Sequence, residues 1–236
     1  MRNFKEEYQR WLDSPALSEA EWQELKAIEN DEKEIESRFF EPLSFGTAGL
    51  RGVLGAGSNR MNIYVVRQAT QGLANWVKTQ GGNQLVAVSY DSRINSDVFA
   101  KETAKVLAAN GIKVRIYDAL MPVPALSFAT RYYEANAGVM VTASHNPKEY
   151  NGYKAYWADG AQVLAPHDKG IIDEVNKVQI DDVKFEPNWD LIQVIGGEMD
   201  YDYMTAVKEA MIDQNVIIRQ KDLNIVYSAM HGTGRV

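Results

Sequence analysis

From Ile63 to Val178 the chain alternates strand-like and helix-like segments with a regularity that leaves few architectures open. Ile63 to Lys78 reads as a helix stopped by Gly81-Gly82, and Gln84 to Ser89 as a short buried strand. Ser96 to Ala109 is a second helix, ended by Asn110-Gly111, and Lys113 to Tyr117 supplies the next strand. Pro122-Val123-Pro124 opens a helix over Ala125 to Glu134, and the apolar run Ala137 to Thr142 is another strand. This βαβ alternation predicts an α/β fold: a mixed, largely parallel sheet sandwiched by helices. Beyond it, Tyr150 to Trp157 and Gly160 to Val163 are expected to pair as a hairpin around Ala158-Asp159-Gly160, and Pro166 to Val178 to form a further helix.

The flanks differ in character. Phe4 to Phe39 is charged and helix-favouring, with Tyr8, Trp11 and Leu12, then Trp22, Leu25 and Ile28, at helical spacing. Ser18-Glu19-Ala20-Glu21 has the spacing of a capping box, so a second helix should start at Ser18, after a break at Ser14-Pro15. An extension packed on the following domain is the expectation, in preference to a partner-binding helix. Gln179 to Gly197 is polar and acidic and reads as a connector; a helix over Tyr201 to Asp213 and a buried strand over Leu223 to Met230 then begin something new. That unit stops at a glycine-rich turn, His231-Gly232-Thr233-Gly234, with no crossover helix behind it.

Composition excludes several function classes. The 236 residues carry 25 Lys and Arg against 32 Asp and Glu, a formal charge of -7, with no basic stripe of the kind nucleic acid requires. Zero cysteines exclude disulfides, thiolate metal sites and cysteine nucleophiles, and the three histidines, at 145, 167 and 231, have no ligand spacing for zinc. The N-terminus is too acidic for a signal peptide, and no apolar run approaches membrane-spanning length, so a cytoplasmic location is expected. An acidic chain that handles phosphate esters would need to concentrate its few cations locally.

The richest stretch for chemistry is Thr142-Ala143-Ser144-His145-Asn146-Pro147, at a strand's carboxyl end, followed by Asn151-Gly152-Tyr153-Lys154. Ligands collect at such ends in open α/β sheets. An ordinary strand-to-turn exit would have the same residues. Successive residues on extended backbone point to opposite sides, which argues against a dyad of Ser144 with His145. Gly55-Ala56-Gly57 approaches a dinucleotide fingerprint, but Arg60 occupies the third glycine position.

Three blocks in order carry a resemblance. Thr142 to Pro147 with its trailing Asn151 to Lys154 closely resembles the phosphoserine loop of the α-D-phosphohexomutases, the phosphoglucomutase and phosphomannomutase superfamily. Phe45-Gly46-Thr47-Ala48-Gly49-Leu50-Arg51-Gly52 is similar to that family's opening substrate loop, and Tyr90-Asp91-Ser92-Arg93 to its second loop. Gly55 to Asn62, with the helical extension, is most similar to the larger phosphoglucomutase and phosphopentomutase branch. The resemblance runs from about residue 40 onward. It implies a helical extension over 1–39, a first domain with the phosphoserine loop over 40–195, and the beginning of a second, truncated domain over 196–236.

What the resemblance implies for function is a phosphoglucomutase, an intramolecular phosphotransferase interconverting glucose 1-phosphate and glucose 6-phosphate. Phosphopentomutase, phosphomannomutase and a catalytically silent sugar-phosphate-binding fragment are the alternatives. Ser144 matches the phosphoserine, which gives its phosphoryl group to the sugar phosphate and recovers one from a glucose 1,6-bisphosphate intermediate. Lys154 matches a lysine for proton transfer or charge neutralisation, although a lysine between Tyr153 and Ala155 could equally face solvent. Arg51 is expected to clasp phosphate or brace a turn, and His145 to orient the loop or act in acid/base work. Thr47, Gly46 and Gly49 would offer backbone donors to phosphate, while Asp91, Arg93 and Asn146 shape the loop. His231 to Gly234 would form a phosphate-proximal turn. The family's magnesium ion is expected through a phosphate on Ser144, with its remaining ligands beyond Val236. The nearest mimic of the family's Asp-x-Asp-x-Asp-Arg loop, Asp200-Tyr201-Asp202, has Met204 in the third position and reads as helix-start charge. The partners implied are small sugar phosphates, with neither nucleic acid nor membrane, and the 236 residues alone are expected to be inactive.

Overall fold

The computed structural model describes residues 3–46 and 49–234. Its centre is a six-stranded sheet of β1 (Gly49–Val53), β2 (Leu85–Tyr90), β3 (Lys113–Tyr117), β4 (Ala137–Val141), β5 (Tyr150–Trp157) and β6 (Ile192–Ile195), ordered β1-β5-β4-β2-β3-β6. The neighbours β4-β2, β2-β3 and β3-β6 are parallel, and β1-β5 and β5-β4 antiparallel, so the sheet is mixed and largely parallel as the alternation predicts.

Nine helices are described: α1 (Phe4–Leu12), α2 (Glu19–Lys26), α3 (Glu32–Phe39), α4 (Ile63–Thr79), α5 (Ser96–Ala109), α6 (Val123–Tyr132), α7 (His167–Lys177), α8 (Gly197–Glu209) and α9 (Asn215–Arg219). Side chains on β2, β3 and β4 alternate between the two faces of the sheet. Val86, Val88, Val139 and Val141 join α4, α5 and α7 in the larger core, while Ala87, Tyr117 and Met140 meet α6 and Met199 of α8. The chain leaves β2 through α5 to β3 on one side, then returns through α6 over the opposite face to β4 on the other. This reversal opens a crevice beyond the carboxyl ends of β2 and β4.

The amino-terminal helices form a third cluster, where Tyr8, Trp11, Leu25, Ile35 and Phe39 enclose Tyr64 of α4. The capping box is present: Ser18 Oγ accepts the Glu21 amide, and the Glu21 carboxylate accepts that of Ser18. The extension reaches the loop after β1 as well, because the Glu24 carboxylate accepts the Ala56 amide and Arg38 donates to the Ala56 carbonyl. No described helix is long and apolar enough to cross a membrane.

Four expectations need correction. The stretch from Gln179 to Gly197 is not merely a connector, since it contributes β6; a four-residue edge strand hydrogen-bonded on one side leaves Gln193 and Val194 exposed and too weak a pattern to detect. Gly160 to Val163 forms no strand arm and meets β5 through a single bridge, Tyr156 to Gln162. The helix expected over Tyr201 to Asp213 begins earlier, at Gly197, where Glu198 and Asp200 suit the positive end of a helix dipole, and it packs Met199 under α6. Leu223 to Met230 is neither strand nor buried: Ile225 is 76% and Val226 99% exposed. Strand backbone must pair its N–H and C=O groups, and no described strand pairs with this segment.

Candidate active site

Ser144 sits just beyond β4 with φ of 57°, in the left-handed region, which costs a non-glycine residue about 1–3 kcal/mol. Its amide donates to Thr142 Oγ1 at 2.9 Å, and the Thr142 hydroxyl donates to Asp91 Oδ2 at 2.6 Å. The left-handed turn breaks the alternation of extended backbone, so Ser144 Oγ lies 3.3 Å from His145 Nδ1. The objection to a Ser144–His145 contact therefore fails, because it assumed that the strand geometry continues through Ser144.

Arg93 holds the loop from beneath. Its guanidinium donates to the carbonyls of Ser144, Asn146, Pro147 and Tyr150, while its Nε lies 3.7 Å from Asp91 Oδ2. The Asp91–Arg93 pair expected from sequence exists, and the larger share of Arg93 goes to backbone. A planar fork with five donors is suited to gathering carbonyls that a lysine could not span.

The cations approach from the neighbouring antiparallel strands. Arg51 on β1 and Lys154 on β5 lie opposite Gly152 and Gly49 respectively, with their side chains on the same face of the sheet. Arg51 donates to Asn146 Oδ1 at 2.7 Å and so reaches the serine loop. The Lys154 ammonium is held below its usual pKa, first by burial and then by the Arg51 charge, against an opposing pull from Asp91. A lysine in that setting yields a neutral amine more readily than one in water.

A cleft of about 1040 Å³ opens in front of Ser144, His145, Asn146 and the Asp91 to Ile94 turn. Lys148 lines it too, a cation that the sequence reading missed. His231, Gly232 and Thr233 close its far side, with Ser92 Oγ donating to the His231 carbonyl at 2.7 Å. Arg51 and Lys154 lie outside this lining; Arg51 joins the site through Asn146, and Lys154 lies on the same sheet face within the influence of Arg51 and Asp91. Thr47 falls outside the described residues. The Gly46 and Gly49 amides are spent on each other's carbonyls, at 2.7 and 3.1 Å, so neither is a free phosphate donor as expected. Asp200 opens α8 with a carboxyl pKa raised by burial and by Asp118, and Asp202 accepts from the Tyr132 hydroxyl at 2.9 Å. Among the described residues no group of three or more Asp, Glu or His could hold a metal ion.

The model of the phosphoglucomutase/phosphomannomutase alpha/beta/alpha domain I matches residues 42–181, which contain the sheet from β1 to β5 and the whole serine loop. The chain belongs to this family. It is 40% identical over 203 residues to a phosphoglucomutase of Staphylococcus haemolyticus, covering 84% of this chain and 36% of that protein. It is 37% identical over 227 residues to a phosphoribomutase of Saccharomyces cerevisiae, covering 87% and 35%. A solved structure from Thermus thermophilus, provisionally assigned as a phosphomannomutase, superposes with a TM-score of 0.64 at 30% identity, covering 72% of this chain and 36% of that one. The chain thus spans about a third of the length of the relatives it matches.

Proposed function

We propose that the chain is the nucleophile-bearing portion of a phosphoglucomutase that interconverts glucose 1-phosphate and glucose 6-phosphate. The observation that carries the reading is the left-handed Ser144 at the crevice, with His145 at its hydroxyl and Arg51 reaching the same loop. In this reading Ser144 is phosphorylated in the working enzyme. A sugar hydroxyl attacks its phosphorus, the bond from phosphorus to Ser144 Oγ breaks, and the sugar becomes glucose 1,6-bisphosphate. The attacking hydroxyl gives its proton to Lys154, whose pKa, lowered by burial and by Arg51, makes the neutral amine easier to reach than in water. His145 is within reach to protonate the departing serine oxygen. Reorientation of the bisphosphate and the reverse transfer then restore the phosphoserine.

Charge spread over the transferring group calls for fixed cations; Lys148 and the His231 to Thr233 turn line the cleft, and Arg51 reaches its serine loop through Asn146. The side chains of these residues do not make a magnesium site: Asp91 is engaged by Thr142, Ser96 and Arg93. A phosphate on Ser144 would give magnesium one ligand, and the rest of the site belongs to additional chain. Turnover is accordingly assigned to a complete mutase, in the cytoplasm, and not to these 236 residues alone. Phosphopentose interconversion is the second reading, favoured by the phosphoribomutase relative at 37% identity.

Incubation of the complete mutase with glucose 1,6-bisphosphate, followed by peptide mapping, is expected to place phosphate on Ser144. Phosphate confined to another residue, or full turnover by Ser144→Ala, overturns the proposal. Comparing glucose 1-phosphate with ribose 1-phosphate as substrate decides between the two sugars.

A further inference from the structure

The Asp91 carboxylate at the end of β2 collects more than the loop contact. Its Oδ1 accepts the Arg93 amide at 3.0 Å and the Ser96 hydroxyl at 2.8 Å, and its Oδ2 accepts the Thr142 hydroxyl at 2.6 Å. An ionised carboxylate only accepts, so both hydroxyls must turn their hydrogens toward it. Each hydroxyl oxygen is then left to accept on its other side. Ser96 accepts from Asn151 Nδ2 at 3.0 Å, and Thr142 from the Ser144 amide at 2.9 Å.

Asn151 closes the far end. It is fully buried on β5, shares its Nδ2 with the Ile94 carbonyl at 2.9 Å, and accepts the Gly152 amide on Oδ1 at 2.7 Å. Every donor in the sequence from Asn151 through Ser96 to Asp91, and from Ser144 through Thr142 to Asp91, therefore has one available direction. The strand that carries Lys154 and the loop that carries Ser144 are anchored on the same carboxylate. Such a closed, buried network permits few alternative arrangements.

We infer that Asn151, Ser96, Asp91 and Thr142 form a positioning relay that holds Ser144 in its left-handed conformation, with Thr142 as the positioning residue in direct contact. The inference rests on the reading of Ser144 as the phosphoryl acceptor and donor. Without the Thr142 hydroxyl the Ser144 amide loses its partner, the turn relaxes toward extended backbone, and Oγ swings away from His145. The substitution acts on the phosphoryl-transfer step while leaving the sugar-phosphate contacts in place.

Two measurements test this. In the complete mutase, the rate at which glucose 1,6-bisphosphate loads phosphate onto Ser144 is compared for wild type, Thr142→Val and Thr142→Ser. Thr142→Val is expected to slow loading about tenfold to a hundredfold at unchanged KM, the scale for a misplaced reacting group, and Thr142→Ser to recover most of it. In the 236-residue chain, hydrogen exchange at the Ser144 amide should quicken in Thr142→Val and stay slow in Thr142→Ser. Wild-type loading by Thr142→Val, or unchanged exchange at Ser144, overturns the relay. A wild type that takes no phosphate on Ser144 instead overturns the nucleophile reading, and the exchange measurement still decides whether Thr142 holds the turn.

Discussion

The loop from Thr142 to Glu149 and the tail from Leu223 to Met230 are both irregular backbone, and they are held in opposite ways. The loop is polar, yet Arg93 binds four carbonyls in or just after it, and Thr142 and Asp91 fasten its strained residue. The tail is rich in Leu, Ile, Val, Tyr and Met, yet Ile225, Val226 and Met230 face solvent. The contrast teaches that apolar composition orders nothing until a second surface arrives, whereas a small set of directed hydrogen bonds can order a segment locally.

The largest expected break in that contrast is Gly152→Ala, behind the loop. A Cβ there would meet the Thr142 carbonyl oxygen at 2.6 Å and that of Leu50 at 2.9 Å, both backbone and neither able to yield cheaply. Thermal unfolding should report a loss of about 3 kcal/mol or more, the upper range for overpacking. Arg93→Ala comes next, strikes the clasp directly, and should lower kcat of the complete mutase about a hundredfold. Arg93→Lys is expected to rescue little, because one ammonium cannot span the four carbonyls; full rescue would reduce the clasp to simple charge.

A matched pair sharpens the comparison itself. Val139→Ala in β4, fully buried, should cost about 2 kcal/mol, and Val226→Ala in the tail less than about 0.5 kcal/mol. Equal losses in the two variants would mean that the tail is packed in solution. The smallest effect is the pH-dependent one at Lys154. Its folded pKa lies below the usual 10.5, so the folded chain releases this proton before the unfolded chain does, and stability from this group rises with pH between the two values. The penalty for holding the charged form is fully present near neutrality and gone above the unfolded value. Lys154→Met should accordingly raise Tm slightly near neutral pH and give no advantage in strongly alkaline solution, while turnover of the complete mutase falls at every pH. A lower Tm near neutrality would contradict the charge penalty.

Much of the fold was legible because its elements announce themselves locally. The bounds of Ser96 to Ala109 and Lys113 to Tyr117 match the structure, and the Ser18 capping box forms as written, since glycine stops, caps and periodicity act within a few residues. The strands β1 and β6 escaped notice for a shared reason: each lies at a sheet edge and takes its hydrogen bonds from a distant partner, β5 or β3. In the candidate site, Ser144, Arg51, Asp91 and Arg93 stood out by motif. Ser96 did not, and Asn151 stood in the motif without its role being readable, because nothing in their neighbourhood marks polar side chains that link across the sheet to Asp91 through Ser96. Thr142 carried a readable signal that was missed, since a threonine hydroxyl commonly takes the amide two residues on.

By itself, the sequence determined the βαβ order, the exclusion of cysteine chemistry and the loop in which a nucleophile would stand. These depend on residue type and short-range spacing. Tertiary structure alone decided that Ser144 turns left-handed toward His145, that the Gly46 and Gly49 amides are consumed by each other, and that Arg51 bridges to Asn146 from 95 residues away. Each is a contact whose energy depends on distance and direction between groups that only the closed sheet brings together, and no local pattern in the chain encodes that meeting.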